Sequence, residues 1–542
     1  RFVRAGGASS FPNHLGVAKG QLACCHMPFM SSKRDSAESL LSRAAQHLMG
    51  SPKRDDGSRT PPRNEDEGKI SSRVERVDRV DQGAKGAGAQ GAQGEVGSFM
   101  VENVLRGLIT DMLGNITPYQ QDKEIVQVRR SGSLYRRLDD LNKYTIFHEI
   151  PFSLKEKLVH LGVREDLMNR AMGSMLGMAV GDSLGHPFEF LPVQDRPVGP
   201  HFDPKSFEFV DASNAFQLKR GQWTDDAAMG LCMADSLILK RDFDGSDMRV
   251  RFWCWWNRGY NNAFRKDPSR SSSVGLGGNI AKSLTDLSHL LPGELPPPAY
   301  KAATEDAGNG SLMRFTPIAI YFHAHPVDEL LHFARLSSYT THPGIIAAEA
   351  CSLLAFLIMR ALTRSAESSM SSKDFLDKTT QEYLKISGLE KKSGWGYDQM
   401  NWLVKSKPVN PTERCWDWRS SDLDIAGTLR ARGRTYNGYP VSSGYFGSYS
   451  LDGMALALWA FYHTSSFDEA VVKSVNLLGD ADSHGSITGQ LAGAFYGYSS
   501  ISPKFVEWVT RWDDHEFACR GALLVHLGGA AAEAAGPRIT SL

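Results

Sequence analysis

The chain has 542 residues, enough for two or three average domains, and 41% of them are hydrophobic, enough for a large core. Lys+Arg and Asp+Glu both total 61, so no overall basic field draws the chain onto nucleic acid or a membrane. The seven cysteines are scattered, and an odd count without a Cys-x-x-Cys pair favours a reducing compartment.

Residues 1–97 read as a disordered, low-complexity or targeting region. Between 51 and 97 there is no Phe, Trp, Tyr or Leu, while Pro52, Pro61, Pro62 and a Gly-Ala-Gln segment at 85–94 occur. Such a stretch buries too little apolar area to offset the entropy of ordering it. The sequence starts at Arg1, so localisation is left open, with a soluble intracellular compartment favoured. Residues 98–164 read as a helical extension. Val101, Val104, Leu105, Leu108 and Ile109 have helical spacing there.

A main domain is expected over 165–525, helical almost throughout. Met168, Met172, Met175, Leu176 and Ala179 share one face, as do Met229, Met233 and Leu237. Trp253, Trp255 and Trp256 point to different sides of a helix and read as core. Leu291 to Pro298 holds four prolines and reads as a loop. Ile345 to Leu362 is interrupted by Glu349 and Arg360, so it reads as a core helix rather than a membrane span. Gly453 to Tyr462 reads as another buried helix, and the Ala/Gly-rich residues 526–542 as a flexible tail.

Two glycine runs stand out. Gly173, Gly177, Gly181 and Gly185 recur every four residues, and so do Gly485, Gly489, Gly493 and Gly497. On a helix each run forms one stripe. Each interior glycine costs about 0.5–1 kcal/mol relative to alanine, a cost that close helix approach offsets.

Near these runs lie two acidic clusters, Thr224-Asp225-Asp226 and Asp480-Ala481-Asp482-Ser483. Four carboxylates and two hydroxyls suit Mg²⁺ or Mn²⁺ far better than Zn²⁺. Converging acids without a cation would repel one another, which divalent ions relieve. Taken singly, each cluster also reads as a helix start, with Thr224 or Ser483 as cap and acids suiting the dipole.

The motifs then resemble a family. Gly173-x-x-x-Gly177-x-Ala179-x-Gly181-Asp182-x-x-Gly185 followed by Glu189, Thr224-Asp225-Asp226, Asn309-Gly310-Ser311-Leu312-Met313-Arg314, Thr341-His342 and Gly479-Asp480-Ala481-Asp482-Ser483 resemble, in order and spacing, the ADP-ribosylglycohydrolases. The resemblance covers roughly residues 168–500. It implies an all-α, orthogonal multi-helix bundle around a central dinuclear site with two Mg²⁺ or Mn²⁺. Thr224, Asp225, Asp226, Asp480, Asp482 and Ser483 match its metal ligands, and Glu189 matches a glutamate of its catalytic site. Ala227, Leu478 and Ser483 stand where Thr, Gly and Thr are usual. None of these removes a ligand, but they put the tuning around the metals in question.

Other residues carry two readings each. Gly275, Gly277 and Gly278 either cradle a pyrophosphate at a helix N-terminus or make an ordinary turn. Asn309, Gly310 and Ser311 match the family's substrate loop, with capping as the plainer role for Asn309. His342 is structural or touches substrate. Tyr445, Phe446 or Tyr449 stacks on a base or packs in the core, with Tyr449 the favoured contact.

The implied reaction is hydrolysis of the bond between ADP-ribose and a protein side chain or small acceptor, through an oxocarbenium-like state. Glu189, Asp225 and Asp226 are the candidates for proton transfer. The expected partner is an ADP-ribosylated protein or an ADP-ribose-containing small molecule, acted on by a monomer. The rivals are a two-metal hydrolase of another phosphorylated substrate and a non-catalytic ADP-ribose binder or crystallin-like protein.

Overall fold

The computed structural model describes residues 90–116, 144–193, 200–287, 290, 295–365, 369–437, 439–441 and 444–536. The region expected to be disordered lies, up to residue 89, outside the described residues. The extension supplies α1 (Gln90–Asn115), which starts eight residues before the expected 98, and α2 (Phe152–Gly162). The bundle follows with α3 (Asp166–Gly185), α4 (Asp225–Lys240), α5 (Gly245–Arg258), α6 (Gly278–Leu287), α7 (Thr316–Tyr321), α8 (Val327–Tyr339) and α9 (Ile345–Leu362). Next come α10 (Ser372–Ser387), α11 (Trp395–Lys405), α12 (Ile425–Arg432), α13 (Ser450–Tyr462) and α14 (Phe467–Val475). The bundle closes with α15 (Ala481–Tyr496), α16 (Pro503–Asp513) and α17 (Glu516–Ala535). The described strands are two-residue antiparallel pairs, β1 (Phe202–Asp203) with β2 (Glu208–Phe209), and β3 (Thr435–Tyr436) with β4 (Tyr439–Pro440). The fold is all-α.

The centre of the bundle is the pair α3 and α15. A Cβ placed on Gly173, Gly177, Gly181 or Gly185 would collide with the carbonyl oxygen of Gly493, Gly489, Gly485 or Ala481 respectively. The stripes therefore face each other antiparallel, backbone on backbone, where no side chain fits. This offsets the helix-propensity cost of the glycines. Gly497 does not continue the stripe. It ends α15 at φ 86°, against Asn169.

The expected core helix α9 is long and apolar enough to cross a membrane, yet its residues are almost all buried within the bundle. Trp253 and Trp255 are buried as expected, whereas Trp256 is 36% exposed at the end of α5. The expected tail from 526 is instead the second half of α17. A Cβ on Gly528 would strike the carbonyl of Tyr321, whereas nothing lies within 4 Å of one on Gly529; residues 537–542 of the expected tail lie outside the described residues. The extension docks through a buried ion pair, Lys155 Nζ to Glu516 Oε1 at 2.7 Å.

Candidate metal centre and cavity

The glycine contact carries two chain segments to the same place. Asp182 sits near the end of α3, and Asp480 and Asp482 open α15. Helix α4 is fixed beside them in an unusual way. Thr224 precedes α4, but its side chain does not cap it. Asp182 does so from α3. Its carboxylate accepts from Thr224 N (2.9 and 3.1 Å), Ala227 N (3.0 Å) and Thr224 Oγ1 (3.0 Å). This aims the first turn of α4, with Asp225 and Asp226, at the start of α15. Capping and cation binding were alternatives for Thr224 in the sequence; the fold hands the capping to Asp182, a residue outside the expected set.

Glu189, Asp225, Asp226, Asp480, Asp482 and Ser483 line one cavity of about 470 Å³. One oxygen from each of Glu189, Asp480 and Asp482 lies within 4.8 Å of the others. Asp480 is held on both sides. Its Oδ2 accepts from Asn309 Nδ2 at 2.7 Å and its Oδ1 from the Tyr445 hydroxyl at 3.0 Å. Asp482 Oδ1 accepts from Ser483 N at 2.9 Å. Glu189 Oε2 and Asp226 Oδ1 are buried without a hydrogen-bond partner.

The electrostatics follow from burial. Desolvation first, then repulsion from neighbouring carboxylates, pushes Glu189, Asp225 and Asp226 well above the usual carboxyl range. Burial and Asp482 raise Asp480 to about 7; burial and Asp182 raise Asp482 to about 6. Burial alone raises Asp182 to about 7, against the hydrogen bonds from α4 that lower it. The closeness of Glu189 to Asp482 raises Glu189 and lowers Asp482, against the larger effect of burial on both. Bare carboxylate oxygens at this density fit an oxygen-seeking divalent cation, and the cluster can hold a metal ion.

The expected substrate residues divide. Gly275, Gly277, Gly278, Asn309, Gly310, His342 and Tyr449 all line the cavity. Gly275 has φ 91°, and a Cβ there would run into Asp225 Oδ1, so the loop leans directly on the acid cluster. Nothing lies within 4 Å of a Cβ on Gly277 or Gly278, which open onto the space at the N-terminus of α6. Ser311 does not line the cavity. The 3₁₀ turn Asn309–Ser311 rotates its Oγ inward, where it accepts from Ser338 Oγ at 3.0 Å and Cys351 Sγ at 3.5 Å.

Arg432, Tyr436 and Asp452 also line the cavity and were not foreseen. Arg432 donates to both oxygens of Asp452 (2.6 and 2.8 Å) and lies 3.9 Å over the Tyr436 ring. Tyr449 lies parallel to Trp416 and donates its hydroxyl to Gln399 Oε1 at 2.8 Å. No sequence signal links Arg432 on α12 to Asp452 on α13. Asp182, by contrast, was visible as a charge inside a glycine stripe.

Comparison with known proteins gives the family of the domain that carries this cavity. The family model described as ADP-ribosylglycohydrolase matches residues 163–533. An ADP-ribosylarginine hydrolase of Pseudomonas putida is 28% identical, over 65% of this chain and 76% of its own length. The ADP-ribosyl-[dinitrogen reductase] glycohydrolase of Rhodospirillum rubrum is 25% identical, over 64% and 90%. The ADP-ribosylhydrolase ARH3 of Danio rerio is 25% identical, over 62% and 85%.

Proposed function

This chain belongs to the ADP-ribosylglycohydrolase family and is a hydrolase acting on glycosyl bonds; from that premise we propose that it releases ADP-ribose from a modified protein side chain, with cation help. The observation that carries the reading is the meeting of Glu189 with both aspartate clusters on one cavity. Thr224, Asp225, Asp226, Asp480, Asp482 and Ser483 would hold two Mg²⁺ or Mn²⁺. Bound there, the cations supply Lewis-acid polarisation of substrate and water oxygens.

The chain's own groups divide the remaining work. Glu189, whose carboxyl burial and the neighbouring aspartates push well above the usual range, is the group we assign to moving a proton at the scissile bond, with Asp225 and Asp226, raised in the same way, as the other candidates. Asn309 and Tyr445 hold Asp480 in orientation. Gly275, Gly277 and Gly278 bring backbone N–H groups toward a pyrophosphate at the start of α6. Gly310 keeps its wall low beneath His342, and Tyr449 offers a flat face held by Trp416 for a base. The names of the relatives make an arginine-linked acceptor the first to try.

The test is release of free ADP-ribose from arginine-modified protein, measured with and without EDTA. Release that EDTA abolishes and added Mg²⁺ or Mn²⁺ restores supports the reading. Undiminished release by Asp480→Ala and Asp482→Ala chains overturns it.

A further inference from the structure

What His342 presents to the cavity is decided by the groups behind it. Arg314 is fully buried, and its guanidinium meets no carboxylate among the described residues. It lies 4.4 Å over the Phe252 ring and donates through Nη2 to Thr340 Oγ1 (3.2 Å) and Thr341 Oγ1 (2.6 Å). A guanidinium has no acceptor, so the direction of both bonds is fixed. Thr340 passes its own hydroxyl proton to the Ser337 carbonyl at 2.6 Å. Among the described residues the Thr341 hydroxyl has one other hydrogen-bond partner, His342 Nδ1, at 2.8 Å. Thr341 is completely buried. Its hydroxyl proton would be stranded unless it goes to Nδ1, at the cost of an unmade buried hydrogen bond. Nδ1 is therefore the acceptor nitrogen, and the neutral ring carries its proton on Nε2. Burial, followed by the charge of Arg314, lowers His342 to about 3, which keeps the ring neutral.

Nε2 lies at the cavity wall. A Cβ on Gly308 would sit 3.3 Å from it and 3.0 Å from Asn279 Nδ2, and both His342 and Asn279 line the cavity. We infer that Arg314, acting through Thr341, is a positioning residue that fixes His342 as an Nε2–H donor, so that the ligand atom facing it is a hydrogen-bond acceptor of phosphate-oxygen type. The ligand part of this inference rests on the ADP-ribose reading of the cavity; the proton relay does not.

The experiment is imidazole ¹⁵N–¹H correlation spectroscopy of the full chain labelled at histidine, with His342 assigned by the signal lost in His342→Gln. The expected native pattern is a pyrrole-type Nε2 and a pyridine-type Nδ1. In Thr341→Val the pattern moves toward the other tautomer, and Thr341→Ser restores it. By calorimetry, Thr341→Val binds ADP-ribose about tenfold more weakly, as for loss of one well-placed donor, and Thr341→Ser recovers the affinity. A native proton on Nδ1, or a Thr341→Val spectrum identical to the native one, overturns the inference. The native spectrum decides even if a variant does not fold. It also requires no turnover, so a chain that shows Nε2–H but releases no ADP-ribose leaves the relay standing and removes only the glycohydrolase reading.

Discussion

Two walls of the cavity treat buried acid in opposite ways. Asp452 is neutralised within the chain by a two-pronged bond from Arg432. Glu189, Asp225, Asp226, Asp480 and Asp482 face no lysine or arginine among the described ion pairs, and their carboxyls are all raised. A fold that supplies a partner on one side and withholds it on the other has left room for charge from outside. The paired wall gives shape; the unpaired wall is a cluster that can hold a cation.

The sharpest way to break this contrast is to remove one acid from each wall. Asp480→Ala is expected to lower kcat/KM for ADP-ribose release by roughly a thousandfold, about 4 kcal/mol of transition-state stabilisation. The same change should leave the metal-free protein as stable as before or more so, because it removes repulsion. Asp452→Ala should instead lower stability by about 3–5 kcal/mol, because Arg432 is left buried and unpaired. Thermal melts in EDTA read both signs; a matching drop for the two variants would end the comparison.

Next in size is the scaffold. Gly181→Ala places a methyl group into the Gly485 carbonyl, and a loss of about 3 kcal/mol or more is expected. Gly277→Ala meets open space, so stability should change by less than about 0.5 kcal/mol while ADP-ribose binding weakens. Denaturant melts beside calorimetry separate the two.

A smaller effect concerns pH. The folded pKa values of Asp480, at about 7, and Asp482, at about 6, lie above the unfolded value near 4. For a raised carboxyl the folded state holds the proton more tightly. Its stabilising contribution is complete below about pH 4 and is lost as pH rises through 6 to 7. Metal-free protein should therefore melt at higher temperature near pH 5 than near pH 8, and saturating Mn²⁺ should flatten the difference. Asp182→Asn is expected to weaken cation affinity about 10–100-fold by loosening the first turn of α4, read by calorimetry with Mn²⁺.

Much of the acid-rich wall was legible in the sequence, and most of the paired wall was not. The aspartate clusters are contiguous, and the glycine runs repeat every turn, so local patterns expose both. Asn309 meets Asp480 across 171 residues, and Arg432 meets Asp452 from a different helix; no period marks such a meeting. Ser311 lies off the cavity because its hydroxyl is engaged with Ser338 and Cys351, a contact no local pattern shows. The C-terminal Ala/Gly composition was read as looseness from 526, whereas residues 526–535 continue α17 and Gly528 sits against the backbone of Tyr321. Leu478 shows a departure made visible: it stands where the family favours glycine, and it adopts φ 66°.

A repeat of four is nearly one helical turn, so the α3–α15 interface has a built-in ambiguity: sliding by one turn would again set glycine over glycine at most positions. Such a slip of four residues would carry Asp482 about 6 Å along the axis and out of step with Glu189. Polar pins remove the degeneracy. Ser174 Oγ donates to the Gln490 carbonyl at 2.8 Å, Gln490 Oε1 accepts from Thr316 N at 2.8 Å, and Asn169 Nδ2 donates to Ser499 at 3.1 Å. The glycines let the helices touch, but these few side chains act as the vernier that selects the reading, far from the chemistry whose alignment they set.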